Sequence, residues 1–192
     1  MDMKTLVTSY CEPERTITTA LSHHYRLPMF AIAGASEAKV FDQQAAAEAA
    51  LSLVVETLAG SNIIHDLGYL ESGLTFSFAH LFLANEVVGW IKAFTKGFQV
   101  DDESLALDVI AELGPDGDFL NTPHTLKHFR ERWYPDLFER MSYQGWLSKG
   151  GKDLAERAKD KIEAILAEHK PEPLSAKTKE KLREIVLRAK PG

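Results

Sequence analysis

The chain has 192 residues, of which 45% are hydrophobic and 26% are charged, an ordinary composition for a globular protein with one core. Its formal net charge of −6 argues against nucleic acid as a main partner, because binding to phosphates requires a basic surface. The single cysteine, Cys11, excludes an internal disulfide, and no apolar run approaches the roughly 20 residues that span a bilayer. Because the first residues also lack the pattern of a secretion signal, we expect a cytoplasmic protein that does not interact with a membrane.

The first part of the chain alternates short apolar runs with helical patterns. Residues 5–9 and 29–33 are rich in β-forming or apolar residues and predict two strands. Each run precedes a helical pattern, over residues 14–25 and 43–58 respectively. Asp42 comes just before the second helix, where its side chain is expected to cap the first turn.

A third strand and a third helix follow. The strand is predicted within residues 61–65, and Ser77 is a suitable cap for a helix that ends near Gly97. Strands that alternate with helices pair in parallel, with each helix crossing over the sheet. Because three parallel strands alone leave the outer edges unpaired, we predict a piece of a larger α/β sheet or barrel.

Beyond residue 100 the β signal fades and helical patterns dominate. We therefore predict a partial β/α barrel over residues 1–100, followed by a helical extension over residues 101–192 that packs on the barrel. Within the extension, residues 133–151 form an aromatic connector, which either buries contacts between helices or presents an apolar surface to another protein. The helices of the extension are predicted over residues 103–113, 123–132, 152–169 and 175–190.

A series of segments spread over nearly the whole chain has a specific order and spacing. These segments are GASEAKVFDQQ at 34–44, LAGSNIIHDLGYLESGLTFSF at 58–78, residues 87–91, QVDDESLA at 99–106, GPDGDFL at 114–120, TPHTLKH at 122–128, Trp133-Tyr134-Pro135 and Trp146. Together they resemble the trimethylamine methyltransferase family, whose members demethylate methylated amines with the help of a corrinoid protein.

The resemblance implies a fold. Family members resemble TIM (β/α)8 barrels that are much longer than this chain, so the chain is expected to be the C-terminal part of such a barrel with its helical tail. Some members contain pyrrolysine, which an in-frame amber codon encodes, and a gene split at that codon would give a downstream piece that starts at an internal methionine such as Met1 or Met3. A pyrrolysine upstream would favour trimethylamine as substrate, and its absence would favour a quaternary amine.

The resemblance also implies a reaction. A methyl group would move from trimethylamine, or from a quaternary amine of the betaine type, to the Co(I) corrinoid of a partner protein. The chain is then expected to bind no cofactor directly, because the partner carries the cobalamin. Activity is expected only when the chain is joined to the missing N-terminal half of the barrel, and the isolated chain is expected to be inactive. Its expected protein partners are the corrinoid protein and either that half or a second copy in a homo-oligomer. The alternative is a non-catalytic fragment that serves as a self-association or interaction module.

Such a reaction needs a site that holds a methylammonium group in line and excludes water. Aromatic faces, a carboxylate or both can bind the cationic head, and a barrel supplies them from loops at the C-terminal ends of its strands. In the loop after the third predicted strand, we expect Tyr69 and Phe76 as cage walls and Glu71 or Asp66 as the anionic partner. His65 is expected to manage a proton if the leaving amine is tertiary.

The loop after the second predicted strand, residues 35–42, offers a second set of polar side chains. Ser36 and Asp42 are predicted as substrate contacts, and Glu37 and Lys39 lie beside them. Asp42 also has a purely structural interpretation as the helix cap.

No metal site is predicted from the histidines. His124 and His128 are four residues apart and share a helix face, but neither a cysteine nor a second pair of histidines accompanies them. A methylated amine also offers no thiol for zinc to activate.

Overall fold

A computed structural model describes residues 12–189 of the chain. These residues form two compact units, one up to Asp160 and one from Lys161 onward. The helices are α1 (Glu12–Tyr25), α2 (Gln43–Ala59), α3 (Phe78–Thr95), α4 (Asp102–Leu105), α5 (Leu107–Leu113), α6 (Pro123–His128), α7 (Tyr143–Ser148), α8 (Leu154–Glu168) and α9 (Ala176–Ala189). The strands are β1 (Phe30–Ile32), β2 (Ile63–His65), β3 (Tyr69–Leu70) and β4 (Thr75–Phe76), and 3₁₀ turns cover Glu71–Gly73 and Phe119–Asn121.

The first sheet consists of two short parallel strands, β1 and β2. Their paired residues are Phe30 with Ile63, Ala31 with Ile64, and Ile32 with His65. This pairing confirms the parallel strands predicted within residues 29–33 and 61–65, and the described chain is mixed helix and sheet. The strand predicted over residues 5–9 lies outside the described residues.

The helices after β1 and β2 begin at the predicted residues. Asp42 accepts a hydrogen bond of 3.1 Å from the Ala45 backbone N–H and caps α2. Gly60 ends α2 with a φ of 86°, a left-handed conformation that glycine adopts without strain. Ser77 caps α3 by accepting from the His80 backbone N–H. These caps fix where each loop between a strand and its helix stops.

The core lies among β1, α2 and α3 and contains many small residues. The smaller of two buried clusters joins Ala38 after β1, Ala45 of α2 and Leu70 of β3. Because alanine side chains are short, the loops that follow the two parallel strands pack closely on the start of α2. The main cluster consists of Ala33, Leu53, Leu83, Ala84, Val87 and Ile91.

The loop after β2 contains a β-hairpin that the sequence pattern did not predict. β3 and β4 pair antiparallel, with Tyr69 opposite Phe76 and Leu70 opposite Thr75. Strands of two residues are too short for an alternating pattern to reveal them. Gly68, just before the hairpin, has a φ of 93°, and a Cβ there would lie 2.7 Å from the Phe76 ring. The loop after β2, which was predicted to bind the substrate, therefore contains a regular pair of hydrogen-bonded strands.

Two helical predictions in the second half require correction, and one helix was not predicted. The helix predicted over residues 103–113 is broken at Ala106, whose φ of 50° separates α4 from α5. Alanine is a strong helix former, so no local pattern indicated this break. The helix that starts at Pro123 ends at His128 rather than near residue 132. The aromatic connector also contains α7, which Ser142 caps.

The aromatic connector is attached to α3 through a buried carboxylate. One oxygen of Glu86 accepts hydrogen bonds from the backbone N–H groups of Leu137 at 2.7 Å and Phe138 at 3.0 Å. Trp133 stacks on Trp90 of α3 with nearly parallel rings 6.2 Å apart. These contacts confirm that the connector buries contacts with a helix.

A group of exposed charges joins α4 to α6. Glu103 accepts from Lys127 at 2.6 Å and pairs with Nε2 of His128 at 3.2 Å, while Nδ1 of His128 pairs with Glu131 at 2.9 Å. Hydrogen bonds to Glu131 and then to Glu103 raise the pKa of His128 above its ordinary value of 6.5. The hydrogen bond from Lys127 lowers the pKa of Glu103.

The second unit contains the end of α8 and all of α9. On α9 the apolar residues Leu182, Val186 and Leu187 are exposed. Within residues 12–189, no helix combines the length and apolar character needed to cross a membrane. The boundary at residue 100, and the packing of the helical extension on a barrel, stay predictions.

Replacing Glu86 by Ala is expected to lower the free energy of unfolding by about 2 kcal/mol, because two buried N–H groups lose a charged acceptor. Urea denaturation monitored by tryptophan fluorescence measures this loss. Glu86→Gln keeps an oxygen acceptor and should lose less than half as much. Equal losses in the two variants would contradict the role assigned to the Glu86 oxygen.

The raised pKa of His128 makes the contribution of this charged group to stability depend on pH. The contribution is fully present below pH 6.5 and is lost as the pH rises through the raised pKa of the folded state. We expect an NMR titration of the His128 imidazole to give a pKa above 6.5, and His128→Gln to remove this part of the pH dependence. A pKa of 6.5 or lower would show that the two carboxylates do not stabilise the imidazolium.

Candidate functional site

Two loops meet at the carboxyl edge of the parallel pair. Residues 33–42 follow β1 and residues 66–77 follow β2, and parallel strands end at the same edge of a sheet. Backbone hydrogen bonds continue between the loops, from Ser36 N to Tyr69 O at 3.0 Å and from Glu71 N to the Ala38 carbonyl at 3.1 Å. The backbone itself therefore holds the two predicted binding loops side by side.

The buried carboxylate of Glu48 lies beneath the first loop, and it was not predicted from the sequence. Oε2 of Glu48 accepts from the Ser36 hydroxyl at 2.6 Å and from the Glu37 N–H at 2.8 Å. Oε1 accepts from the Gln44 side chain at 2.9 Å. The one available signal was a glutamate on the buried face of α2, four residues before the buried Ser52. Glu48 ties the first loop to α2.

Ser36 and Asp42, which were predicted as substrate contacts, are both engaged within the protein. Ser36 is fully buried, and its hydroxyl donates to Glu48 and accepts from the Ala38 N–H at 2.9 Å. The Asp42 carboxylate caps α2. Both side chains therefore shape the loop, and a direct contact with a ligand stays a prediction for each of them.

His65 and Asp66 form a pair at the end of β2. Nδ1 of His65 lies 2.7 Å from Oδ1 of Asp66, and about 30% of each side chain is exposed. The imidazole also stacks on Phe30 of β1, with centroids 3.8 Å apart and an interplanar angle of 8°. Asp66 has a φ of 72°, an unfavourable conformation that functional sites often contain. A histidine that a carboxylate orients in this way is suited to proton transfer.

The hairpin brings together the two aromatic residues that were predicted as cage walls. The rings of Tyr69 and Phe76 meet edge to face at 5.7 Å, and Phe78 meets Phe76 edge to face at 5.3 Å. Tyr69 is 37% exposed and Phe76 is 46% exposed. Partly exposed aromatic faces of this kind can attract a cation.

A carboxylate of the first loop reaches the second loop. The Ser72 hydroxyl lies 2.7 and 2.6 Å from the two carboxylate oxygens of Glu37, and the Thr75 hydroxyl donates to Glu71 at 3.3 Å. Glu71 and Ser72 both have positive φ values, 51° and 55°. Strained residues cluster at functional sites, where the surrounding structure holds them. Ser72 was not predicted as a site residue.

Beneath the loops, α3 contributes a buried histidine. His80 is fully buried, and neither ring nitrogen makes a hydrogen bond with the described part of the chain. Burial lowers its pKa, and the nearby Gly34 backbone and the Glu48 charge only partly offset this effect. The imidazole is therefore neutral, and it lies beside the Phe41 ring at 6.2 Å.

A separate aromatic cleft lies between α3 and the connector. Its volume is about 530 Å³. Its lining residues are Trp90, Ala93, Phe94, Trp133, Pro135, Phe138 and Arg140.

Within the described residues, no group of three or more His, Cys, Asp or Glu side chains is arranged to hold a metal ion.

Comparison with known proteins gives a consistent result. The model of the trimethylamine methyltransferase (MTTB) family matches residues 1–192. Trimethylamine methyltransferase MttB of Desulfitobacterium hafniense (strain DSM 10664 / DCB-2) is 37% identical over 190 residues, which are 97% of this chain and 38% of the relative. Glycine betaine methyltransferase of Desulfitobacterium hafniense (strain Y51) is 30% identical over 191 residues, which are 96% of this chain and 40% of the relative.

An archaeal relative shows a similar relationship. Trimethylamine methyltransferase MttB of Methanosarcina thermophila is 33% identical over 156 residues, which are 81% of this chain and 32% of the relative. The chain thus spans between 32% and 40% of the length of these three relatives. The matches confirm the resemblance that the sequence segments indicated.

The lowered pKa of His80 predicts that less than half of its imidazole is protonated in the folded chain at pH 6.5, where an ordinary histidine is half protonated. The unfolded chain then binds more protons than the folded chain, so the contribution of His80 to stability falls as the pH falls from about 6.5 through the lowered pKa of the folded state. NMR titration of the imidazole measures this, with His128 as a control that shifts in the opposite direction. A pKa of His80 at or above 6.5 would be inconsistent with its burial.

Proposed function

The chain belongs to the trimethylamine methyltransferase family, and we propose that it takes part in methyl transfer from a methylated amine to the Co(I) corrinoid of a partner protein. Its relatives are named for trimethylamine and for glycine betaine, which supports a substrate with a tertiary or quaternary nitrogen. The corrinoid is proposed to belong to the partner, and the chain is proposed to bind the amine. A cytoplasmic location stays a prediction from the sequence.

We propose that β1 and β2 are neighbouring strands in the C-terminal part of a TIM (β/α)8 barrel. Two observations support this proposal: the strands are parallel, and a helix follows each of them. The remaining strands would come from an upstream segment or from another chain. This chain spans 38% of the length of the Desulfitobacterium trimethylamine methyltransferase. That share is consistent with either source of the remaining strands.

The observation that carries the proposal is the edge-to-face pair of Tyr69 and Phe76 beside carboxylates at the carboxyl edge of the parallel strands. Each aromatic face that a cation contacts stabilises it by about 0.5–2 kcal/mol, depending on how far water is excluded. A nearby carboxylate adds an electrostatic attraction that strengthens as water leaves the site. A methylammonium group fits these requirements because it is both apolar and positively charged.

The roles of the remaining residues follow from the reaction. Methyl transfer breaks the bond between nitrogen and the methyl carbon, and the electron pair of that bond stays on nitrogen. A corrinoid on the partner protein would supply the nucleophile that accepts the methyl group. When the leaving amine is tertiary, we propose that His65 donates a proton to its nitrogen and then regains a proton from water. Asp66 orients His65 through the hydrogen bond to Nδ1, which leaves Nε2 for the proton.

The test combines the chain with the N-terminal part of the Desulfitobacterium trimethylamine methyltransferase that it does not cover, with a corrinoid protein in the Co(I) state, and with trimethylamine or glycine betaine. We expect the visible spectrum to change from that of the Co(I) form to that of the methylated corrinoid. The chain without the N-terminal part is expected to give no change.

Size-exclusion chromatography provides the control for assembly. An assembled complex that transfers no methyl group from any methylated amine, alongside an active full-length relative, would contradict the proposal. If the chain then still associates with itself or with the N-terminal part, the result favours a non-catalytic interaction module instead.

A further inference from the structure

We propose that Glu37 is the carboxylate that faces the cationic nitrogen of the amine, and that Glu48 is the positioning residue that holds Glu37 in place. This inference rests on the proposed function, because it assigns residues within the same amine site. It differs from the prediction from sequence, in which Glu71 or Asp66 was the anionic partner.

The contacts of Asp66 and Glu71 make them less suitable for this role. Oδ1 of Asp66 lies 2.7 Å from Nδ1 of His65, so this carboxylate already has a hydrogen-bond partner within the chain. Glu71 contacts the hydroxyl of Thr75, the residue before Phe76 in β4. Since successive strand residues point to opposite faces, this contact draws the Glu71 carboxylate away from the face that carries the Phe76 ring.

Glu37 has the unused capacity that a cation requires. The Ser72 hydroxyl lies within hydrogen-bond distance of both carboxylate oxygens of Glu37. Because a hydroxyl has one proton, it donates to only one of these oxygens at a time, and the other receives no hydrogen bond from it. Lys39 donates to the backbone carbonyl of Glu37 rather than to its carboxylate. Among residues 16–189, no lysine, arginine or histidine forms an ion pair with the Glu37 carboxylate. Its charge is therefore available to a ligand.

The burial of its neighbours directs Glu37 toward the second loop. Ser36 and Ala38 on either side are buried, whereas Glu37 is only partly buried. Its carboxylate leaves the core and reaches Ser72, within the turn that joins β3 to β4. Glu37 thus lies at the junction of the two loops, next to the hairpin that carries the aromatic pair.

Glu48 fixes the starting point of this side chain. Its Oε2 atom accepts from the Glu37 N–H and from the Ser36 hydroxyl, and that hydroxyl accepts from the Ala38 N–H. Three consecutive residues of the loop are therefore held by one buried carboxylate. Because a charged acceptor strengthens these hydrogen bonds, Glu48 determines the position from which the Glu37 side chain extends.

The first experiment measures glycine betaine binding by isothermal titration calorimetry, with the chain assembled with the N-terminal part of the Desulfitobacterium trimethylamine methyltransferase that it does not cover. Glu37→Gln is expected to weaken binding roughly ten- to hundredfold, because the variant keeps the shape and removes the charge. Glu71→Gln, the matched control on the hairpin, is expected to change affinity by less than about threefold. The second ligand is 3,3-dimethylbutanoate, in which carbon replaces the cationic nitrogen, and Glu37→Gln should not weaken its binding, because this anion gains nothing from the Glu37 charge.

Two negative outcomes have different meanings. If wild type binds betaine but Glu37→Gln binds it equally well, or if Glu71→Gln loses the affinity instead, the assignment of Glu37 is wrong and the proposed function stands. If the assembled complex with the wild-type chain binds no betaine, the proposed amine site itself is contradicted, and the assignment fails with it.

The second experiment tests Glu48 by hydrogen exchange at the Glu37 and Ala38 amides. Both amides are expected to exchange faster in Glu48→Ala, with a loss of betaine affinity similar to that of Glu37→Gln. Glu48→Gln retains an acceptor oxygen and should restore slow exchange and most of the affinity. If Glu48→Ala does not fold, Glu48→Asp withdraws the carboxylate by one methylene and should show the same faster exchange. Wild-type exchange and affinity in the alanine or aspartate variant would overturn the positioning role.

Discussion

The parallel pairing of β1 with β2 is the constraint on which the rest of the structure depends. It places the ends of both strands at one edge, and the hydrogen bonds from Ser36 to Tyr69 and from Glu71 to Ala38 extend the contact into the loops. Loops that would otherwise move independently are thereby fixed relative to each other. Every candidate site residue on the second loop takes its position from this backbone contact.

Buried carboxylates on the helices then hold the irregular segments. Glu48 of α2 binds the loop after β1, and Glu86 of α3 binds the aromatic connector, in each case through backbone N–H groups. A buried carboxylate without such donors would be strongly destabilising, so each helix and its loop segment stabilise one another. The small side chains of the core, such as Ala38 and Ala45, allow the close approach that these hydrogen bonds require.

The sequence predicted those parts of the fold that depend on local signals. Asp42 and Ser77 marked the starts of α2 and α3 because capping acts within a few residues, and the apolar run at 29–33 indicated a parallel strand, of which only Ala31 is buried. The hairpin escaped prediction because its strands have two residues each. The break at Ala106 also escaped, because its left-handed backbone contradicts the local preference of alanine for helix.

The candidate site was predictable to a similar extent. Tyr69 and Phe76 were chosen for their chemistry, but the antiparallel pairing that joins their rings could not be read from the sequence. The role of Glu48 was hidden because its partners in the loop precede it by 11 and 12 residues. Contacts between separate elements depend on packing, which a single sequence does not encode in any short pattern. The residue types of the two loops thus identified them as a candidate site. Only the tertiary contacts indicate which role each residue can take.

The most direct test of an amine site at this edge of the sheet is the location of the bound methyl groups. Nuclear Overhauser effects from the methyl protons of glycine betaine to assigned aromatic protons of the chain would locate them. We predict contacts with the rings of Tyr69 and Phe76. Contacts instead with Trp90 and Trp133, which line the separate aromatic cleft, would contradict an amine site at the carboxyl edge of the parallel strands.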